Sequence, residues 1–475
     1  MKKRNLLDIS LANSVAESLS KEWDLHEKTS SYAPQYWSAK HRNMPVLHLE
    51  DVTGIPFLDN VTGIEEYQHR ARVRASDGDL FAAGTAPTGG YEDYCRDTLG
   101  LGSPEFLQTE AEDPKAVARA CFDSQVFDRL QQRASKAGGL VVHPYMAIHT
   151  VWELAAELAV AAGVPTAVLG PPPPVMWVAN DKSHFCRVVE EALGPDWIVE
   201  TRRATDAETL SRDLGDLSQR CDWVGLKRTR CASAMGNVVF DARPLRVASD
   251  GEIKDLVDEF LTRTQWCSDE EVLVVEWRET DLSPSTQLWL PPLSDGPPRM
   301  EGVYEQILEG PEKVFMGSRP STLGKELNDA LGQASMQVAV ALQKMGYVGR
   351  CSFDFIVTGD PQGEFHAQFT ECNGRWGGTS TPMHLVDRLV PHNGTRPAYI
   401  ATDYYLPESH LGITFPELIE ALHADLYHED QSKGRFILYN VGPLKRGKFD
   451  VISLGKTPDD ARRGLEEILP QRLGI

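Results

Sequence analysis

The 475-residue sequence has no CxxC pair, and its eight cysteines (Cys95, Cys121, Cys186, Cys221, Cys231, Cys267, Cys351, Cys372) are scattered without metal-ligand spacing. That excludes a zinc ribbon or a dithiol redox motif and reads as reduced thiols of a cytosolic protein. No stretch approaches the roughly 18 apolar residues of a membrane helix, so no membrane partner is expected. The basic opening Met1-Lys2-Lys3-Arg4 is not followed by the roughly 7 to 15 apolar residues of a secretion signal, and a cytoplasmic location is expected. Positive charge is scarce, with 48 Lys and Arg against 69 Asp and Glu for a net charge of −21. Such a field repels phosphate backbones and anionic lipid, so nucleic acid is not expected as a partner, although a small phosphorylated ligand needs only a local positive cluster. There is no Gly-x-Ser-x-Gly elbow and no Cys with a nearby His that reads as a catalytic pair, which gives no sign of a side-chain nucleophile.

What is present suffices for several cores. An apolar share of 41% is ordinary for globular chains, and about 100 to 200 residues per domain implies three domains here. Residues 139–170 read as strand, helix, strand. The helix is expected from Thr150, with a Thr150/Glu153 capping box, Leu154, Leu158 and Ala162 on one face, and Gly163 as its stop. The run Pro171 to Pro174 can neither continue a helix nor donate to a sheet, so a stiff linker and a domain boundary are expected there. Further on come a helix starting near Lys182, strands Trp223-Val224-Gly225-Leu226-Lys227 and Val272-Leu273-Val274-Val275-Glu276-Trp277, a helix over 325–345, a helix over 415–426 and a strand over 436–440.

The segments 352–357 and 365–373 flank the turn signal Gly359-Asp360-Pro361-Gln362-Gly363 and should form a hairpin. Pairing symmetric about Gln362 and Gly363 puts Asp354 opposite Glu371, and Asn373 on the same face. A type I turn with a bulge at Gly363 would shift that register by one. Three oxygen-bearing side chains on one strand face suit Mg²⁺, although a solvated sheet face has the same pattern.

Asp354 followed by Glu371-Cys372-Asn373-Gly374-Arg375 resembles the Asp plus Glu-x-Asn-x-Arg signature of the ATP-grasp superfamily. Asn180-Asp181-Lys182 at a helix start resembles its first phosphate-binding lysine. Lys227, entering the loop Arg228-Thr229-Arg230-Cys231-Ala232-Ser233-Ala234-Met235-Gly236, resembles the second, with Ser233 in the small-residue loop. Glu276 and Trp277 match the hinge strand that receives adenine, with Trp277 equally suited to core packing. The resemblance implies an α/β fold, α+β in parts: a Rossmann-like pre-ATP-grasp domain over 1–175, an ATP-grasp catalytic domain over 176–400 and a small C-terminal domain over 401–475. It implies ATP and Mg²⁺ as cofactors, Asp354, Glu371 and Asn373 as metal ligands, and Arg375 and Lys227 as catalytic groups. Lys227, ending a strand, is expected to be held more firmly than Lys182.

The implied activity joins a carboxylate to an amine or peptide through an acyl phosphate, giving ADP and phosphate. A kinase, a thiol ligase or a non-catalytic ATP-binding module would share the nucleotide contacts. The proline linker and Ser283-Pro284-Ser285-Thr286-Gln287 look most like the pheganomycin-type peptide ligases. Tyr304, Gln306, Arg319 and Arg350 lie in segments that could face the acid substrate, and a homo-oligomer is compatible with the composition.

Overall fold

The structure, a computed structural model, describes residues 7–475 except 57, 59, 60, 111, 232–235, 269, 311, 312 and 392–395. Five short strands, β1 (Val46–Leu49), β2 (Leu80–Ala83), β3 (Glu105–Gln108), β4 (Leu140–Pro144) and β5 (Thr166–Val168), form a parallel sheet in the order β3-β2-β1-β4-β5. The residues of β1, β2, β4 and β5 are almost all buried, as expected of parallel strands covered by helices on both faces, while edge strand β3 buries only Leu107. The strand order reverses between β1 and β4, the place where such sheets open a crevice at the carboxyl ends of their strands.

The helix between β4 and β5 spans His149–Ala162, with Leu154 and Leu158 buried and Gly163 in the left-handed conformation as its stop. The expected capping box is not formed. The helix starts earlier, with Ile148 at its N-cap, and Glu153 turns back to His149 at 3.1 Å instead of reaching Thr150. The proline run is also not a linker throughout: Pro173 and Pro174 open the helix Pro173–Asn180, with Pro172 extended before them. Proline is tolerated in a first turn because the N–H it lacks would have no helical partner. The boundary expected after residue 175 therefore falls inside a helix.

A second, antiparallel sheet contains β6 (Thr201–Ala204), β7 (Trp223–Arg228), β8 (Asn237–Asp241) and β9 (Val272–Glu276) in the order β6-β9-β7-β8. Helices Ala207–Ser218 and Asp250–Arg263 cover it; Leu210, Leu214, Val257 and Phe260 pack on Val224, Leu226, Val272 and Val274.

The largest sheet has eight strands: β10 (Pro284–Leu290), β11 (Arg299–Glu309), β12 (Val314–Pro320), β13 (Gly349–Gly359), β14 (Phe365–Asn373), β15 (Ala398–Tyr405), β16 (Phe436–Asn440) and β17 (Lys448–Gly455). They run in the order β14-β13-β10-β11-β12-β15-β17-β16. The segment 401–475 is joined edge-on to the rest, since β15 takes its register from β12 through Gly317 opposite Thr402. Helices Ile9–Glu22, Lys182–Leu193 and Lys325–Lys344 pack on one end of this sheet around Phe185, Phe353, Phe355 and Phe369. No described helix is long and apolar enough to cross a membrane.

Candidate active site

The hairpin β13–β14 places Asp354 opposite Glu371 and Ser352 opposite Asn373. Nearer the turn the pairing is offset by one, with Phe355 facing Phe369 and Gly359 facing Phe365. The turn itself imposes that offset: Gly363 N–H donates to the Asp360 carbonyl at 3.0 Å and Asp360 N–H to the Glu364 carbonyl at 2.9 Å. A bulge at Thr370, whose hydroxyl donates to the Asp354 carbonyl at 3.1 Å, then restores the symmetric register at the polar end. Both registers open to the sequence are thus present in one hairpin, and the bulge decides which one the carboxylates have.

The first lysine enters this site from a helix whose N-cap, Asp181, accepts from Ser183 N–H at 3.0 Å and His184 N–H at 3.4 Å. Lys182 N–H donates to the Thr229 carbonyl at 2.9 Å, tying the helix start to the end of β7. The Lys182 side chain is only 4% exposed. Its ammonium lies 3.1 Å from Glu371 Oε2 and 2.9 Å from the Cys231 carbonyl. Burial opposes its charge, but Cys231 and Glu371 hold it protonated above the ordinary lysine range.

Lys227 is the looser of the two, contrary to the expectation from its strand position. Its ammonium lies 4.8 Å from the centre of the Trp277 ring, and burial together with the neighbouring Lys182 lowers its pKa. The reason is side-chain geometry: a residue at the end of a strand points where the pleat sends it, and here that is across an open cavity. Ser233 lies outside the described residues.

The two carboxylates respond oppositely to being taken out of bulk water. Burial and the facing Glu371 push Asp354 up to about 7. Burial also acts to raise Glu371, but the Lys182 ammonium outweighs it and holds Glu371 below the usual carboxylate range. Asn373 donates to Asp354 Oδ2 at 2.9 Å, while its own oxygen accepts from Arg375. Among the described residues no three His, Cys, Asp or Glu side chains gather as a metal site.

Three residues that sequence reasoning passed over fix this end of the hairpin. Asn180 clamps Gly374 in both directions, accepting from its N–H at 3.0 Å and donating to its carbonyl at 3.2 Å. A Cβ on Gly374 would meet Asn180 Nδ2 at 2.6 Å and Ala179 Cβ at 2.8 Å, so only glycine fits. Trp376, 4% exposed, lies between two guanidinium groups, with Arg74 Cζ 4.9 Å and Arg350 Cζ 4.7 Å from its ring centre. Its backbone N–H donates to the Tyr145 carbonyl at 3.0 Å, which links the hairpin to the residue just after β4. Their adjacency to Lys182 and Arg375 in sequence was the available signal.

These groups line one cavity of about 940 Å³, bounded by both antiparallel sheets and by segments that follow β1 and β4. Lys182, Lys227, Asp354, Glu371, Asn373, Arg375, Glu276 and Trp277 all line it. Trp277 is both a cavity wall and a partly buried ring packed against Val199, Leu273 and Val275. The Glu276 carboxylate is already paired with Arg278 at 3.0 and 3.1 Å. Of the four residues expected near an acid substrate, only Gln306 reaches the cavity. Arg319 pairs with Glu305 at 2.7 Å, Arg350 is held by Glu301 and Trp376, and Tyr304 is fully buried beside Tyr399.

Residues 68–160 match the family model described as the Pre ATP-grasp domain. No curated protein matches the sequence. Among solved structures, the N5-carboxyaminoimidazole synthase of Aspergillus clavatus, with ADP and 5-aminoimidazole ribonucleotide, is similar with a TM-score of 0.54 at 11% identity, over 91% of this chain and 99% of that one. The biotin carboxylase domain of the Hydrogenobacter thermophilus 2-oxoglutarate carboxylase, with MgADP, ADP and bicarbonate, is similar with a TM-score of 0.53 at 11% identity, over 89% of each chain. The N5-carboxyaminoimidazole ribonucleotide synthetase of Thermus thermophilus gives 0.51 at 13% identity, over 90% of this chain and 98% of that one. The chain thus has the ATP-grasp fold: a parallel-sheet pre-ATP-grasp region followed by antiparallel sheets that enclose the cavity.

Proposed function

We propose that this chain is an ATP-dependent ligase that joins a carboxylate to an amine through an acyl phosphate and releases ADP and phosphate. The observation that carries the reading is the convergence of Lys182, Lys227, Asp354, Glu371, Asn373 and Arg375 on one cavity. The ligands of the similar structures, nucleotide with bicarbonate in one and nucleotide with an amine-bearing ribonucleotide in another, support the same pairing of nucleotide with a small acid or amine.

In this reading Lys182 and Lys227 bind phosphate oxygens as flexible point charges, and the end of β9 with Trp277 receives adenine. Ser233 is assigned to phosphate binding on the sequence resemblance alone. Asp354, Glu371 and Asn373 fit Mg²⁺, because a cation beside two facing carboxylates would relieve the repulsion that raises Asp354. With too few protein ligands for a closed cage, the remaining positions fall to water and nucleotide phosphate. Bound there, Mg²⁺ would neutralise charge on the phosphoryl group in transit. Asn373 would supply a third oxygen, the one that now accepts from Arg375.

The substrate carboxylate takes the γ-phosphoryl group from ATP, ADP departs, and the amine then attacks the acyl carbon, expelling phosphate and losing a proton. Holding the partners in line supplies most of the acceleration, and the scheme requires no side-chain nucleophile. The substrate class that the residues after the hinge resemble is that of the pheganomycin-type peptide ligases, with an amino acid or related acid as the carboxylate.

The test is product analysis over a grid of acids and amines. ADP and free phosphate are expected, with a hydroxamate when hydroxylamine replaces the amine. AMP with pyrophosphate, or a stable phosphorylated product without free phosphate, would overturn the ligase assignment.

A further inference from the structure

The cavity has a second charged wall, on β15–β17, that the nucleotide and metal roles leave unused. Asp403, Tyr405, Tyr439, Lys448 and Asp450 line it, facing Tyr67 and Arg70 from the first half of the chain. Asp403 is directly opposite Asp450 across the β15–β17 ladder, and Asn440 is opposite Asp450 on its other side. Like charges directly opposite each other destabilise a sheet unless something positive sits between them.

Lys448 meets only part of that need. Its ammonium lies 2.6 Å from Asp403 but 3.9 Å from Asp450, and it also contacts the Tyr67 hydroxyl. Arg70, stacked on the Tyr67 ring at 4.4 Å, is turned to Glu50 at 2.8 Å, a carboxylate it shares with Arg74, and it acts on Asp450 only from a distance. On the wall itself, then, two carboxylates stand against the single charge of Lys448. One oxygen acceptor there, Asp450 Oδ1, has no hydrogen-bond donor among the described residues although Asp450 is 3% exposed. Buried acceptors without a donor are costly, so a donor is expected from a ligand.

The under-compensated carboxylate, its orphan oxygen and the cavity-lining ring of Tyr439 call for the same chemistry, the rings of Tyr67 and Tyr405 already facing Lys448. We propose that this wall binds a cationic nitrogen, an ammonium or guanidinium group, of the acceptor substrate. Naming it the acceptor rests on the ligase reading; the cation site itself does not. Carboxylates and aromatic faces stabilise such a group together, whereas an anionic acceptor would meet Asp403 and Asp450 directly. Lys448 keeps Asp403 in place, while Asp450, whose Oδ2 accepts from Asn440 at 2.9 Å, has Oδ1 left to take the ligand.

Calorimetry on the full chain tests this with 1,4-diaminobutane and argininamide as probes and glutamate as the anionic control, and with a non-hydrolysable ATP analogue plus Mg²⁺ titrated separately. Both cations should bind in preference to glutamate. Asp450→Asn should weaken them on the order of tenfold or more, as loss of a charge-assisted bond implies, without changing affinity for the ATP analogue. Asp403→Asn should do the same, but it also unpairs Lys448; Asp450→Asn leaves that pair intact and keeps the test open if the other variant does not fold. Cations that bind no better than glutamate, or equally well to wild type and Asp450→Asn, would overturn the cation site even if the ATP analogue binds. Cation binding without ATP-analogue binding would uphold the site and remove the ligase reading.

Discussion

Asp450 gives the sharpest test of the electrostatics, because replacing it should stabilise the protein. It is 3% exposed on β17, faces Asp403 across the ladder, and its nearest cation, Lys448, is closer to Asp403. Burial, then the Asp403 charge, push its carboxyl from the ordinary 3.8 up to about 7. A carboxyl raised by folding favours the folded state only while it is protonated. The contribution is therefore fully present below about 3.8, declines as pH rises, and is lost above about 7. At about 1.4 kcal/mol per pH unit, the raised pKa of Asp450 costs the fold about 4 kcal/mol at pH 8 as an upper bound, where the group is ionised, and about 1 to 2 kcal/mol at pH 5, where the folded carboxyl keeps its proton. Asp450→Asn keeps the shape and an acceptor for Asn440 while removing the charge. Ligand-free Asp450→Asn should melt higher than wild type at pH 8, with the difference narrowing at pH 5. Equal melting at pH 8, or an advantage that grows as the pH falls, would mean that Asp450 is ionised and well paired, and the reasoning would fail.

Asp354→Asn and Glu371→Gln should each reduce ADP release at least about a hundredfold while the far-ultraviolet dichroism is unchanged, since each removes a charged oxygen from the proposed metal site with little change of volume. Lys182→Ala should weaken binding of an ATP analogue more than Lys227→Ala, roughly ten- to a hundredfold in calorimetry, because Lys182 is held by Glu371 and the Cys231 carbonyl. The opposite order would mean that Lys227 is the main phosphate contact. Gly374→Ala should cost about 1 to 3 kcal/mol in urea unfolding and lower turnover as well, because the new methyl collides with the Asn180 clamp. An unchanged urea midpoint would show that the clamp yields.

Local pattern made much of the polar hairpin legible. Period-two alternation put Phe353 and Phe355 in the core and Asp354 on the cavity face, and the turn chemistry at 359–363 bounded the two strands. The βαβ segment, the helix beginning at Lys182 and the strand before Lys227 were legible for the same reason: apolar period and stop residues act over a few neighbours. The failures were also local choices, decided by competition. Thr150 lost the N-cap to an earlier start of its helix, and Pro173 and Pro174 became a first turn because nothing there required their N–H groups.

Which distant residues would meet was not legible, because no local period encodes a contact between segments far apart in the chain. Lys182 pairs with Glu371 only because its helix packs on β14, and that pair reversed the expected ranking of the two lysines. The bulge at Thr370 is likewise a compromise between the turn at Gly363 and the packing of Phe369 among Phe353 and Phe355. The wall of Asp403, Lys448 and Asp450 arises from the pairing of β15 with β17, strands well separated in the chain. The sequence by itself determined the elements and the oxygen-bearing face of one hairpin, through interactions a few residues long. Tertiary packing decided which charges were compensated and which were not, since that depends on the neighbours each buried group acquires when the antiparallel sheets and the segments after β1 and β4 close on one cavity.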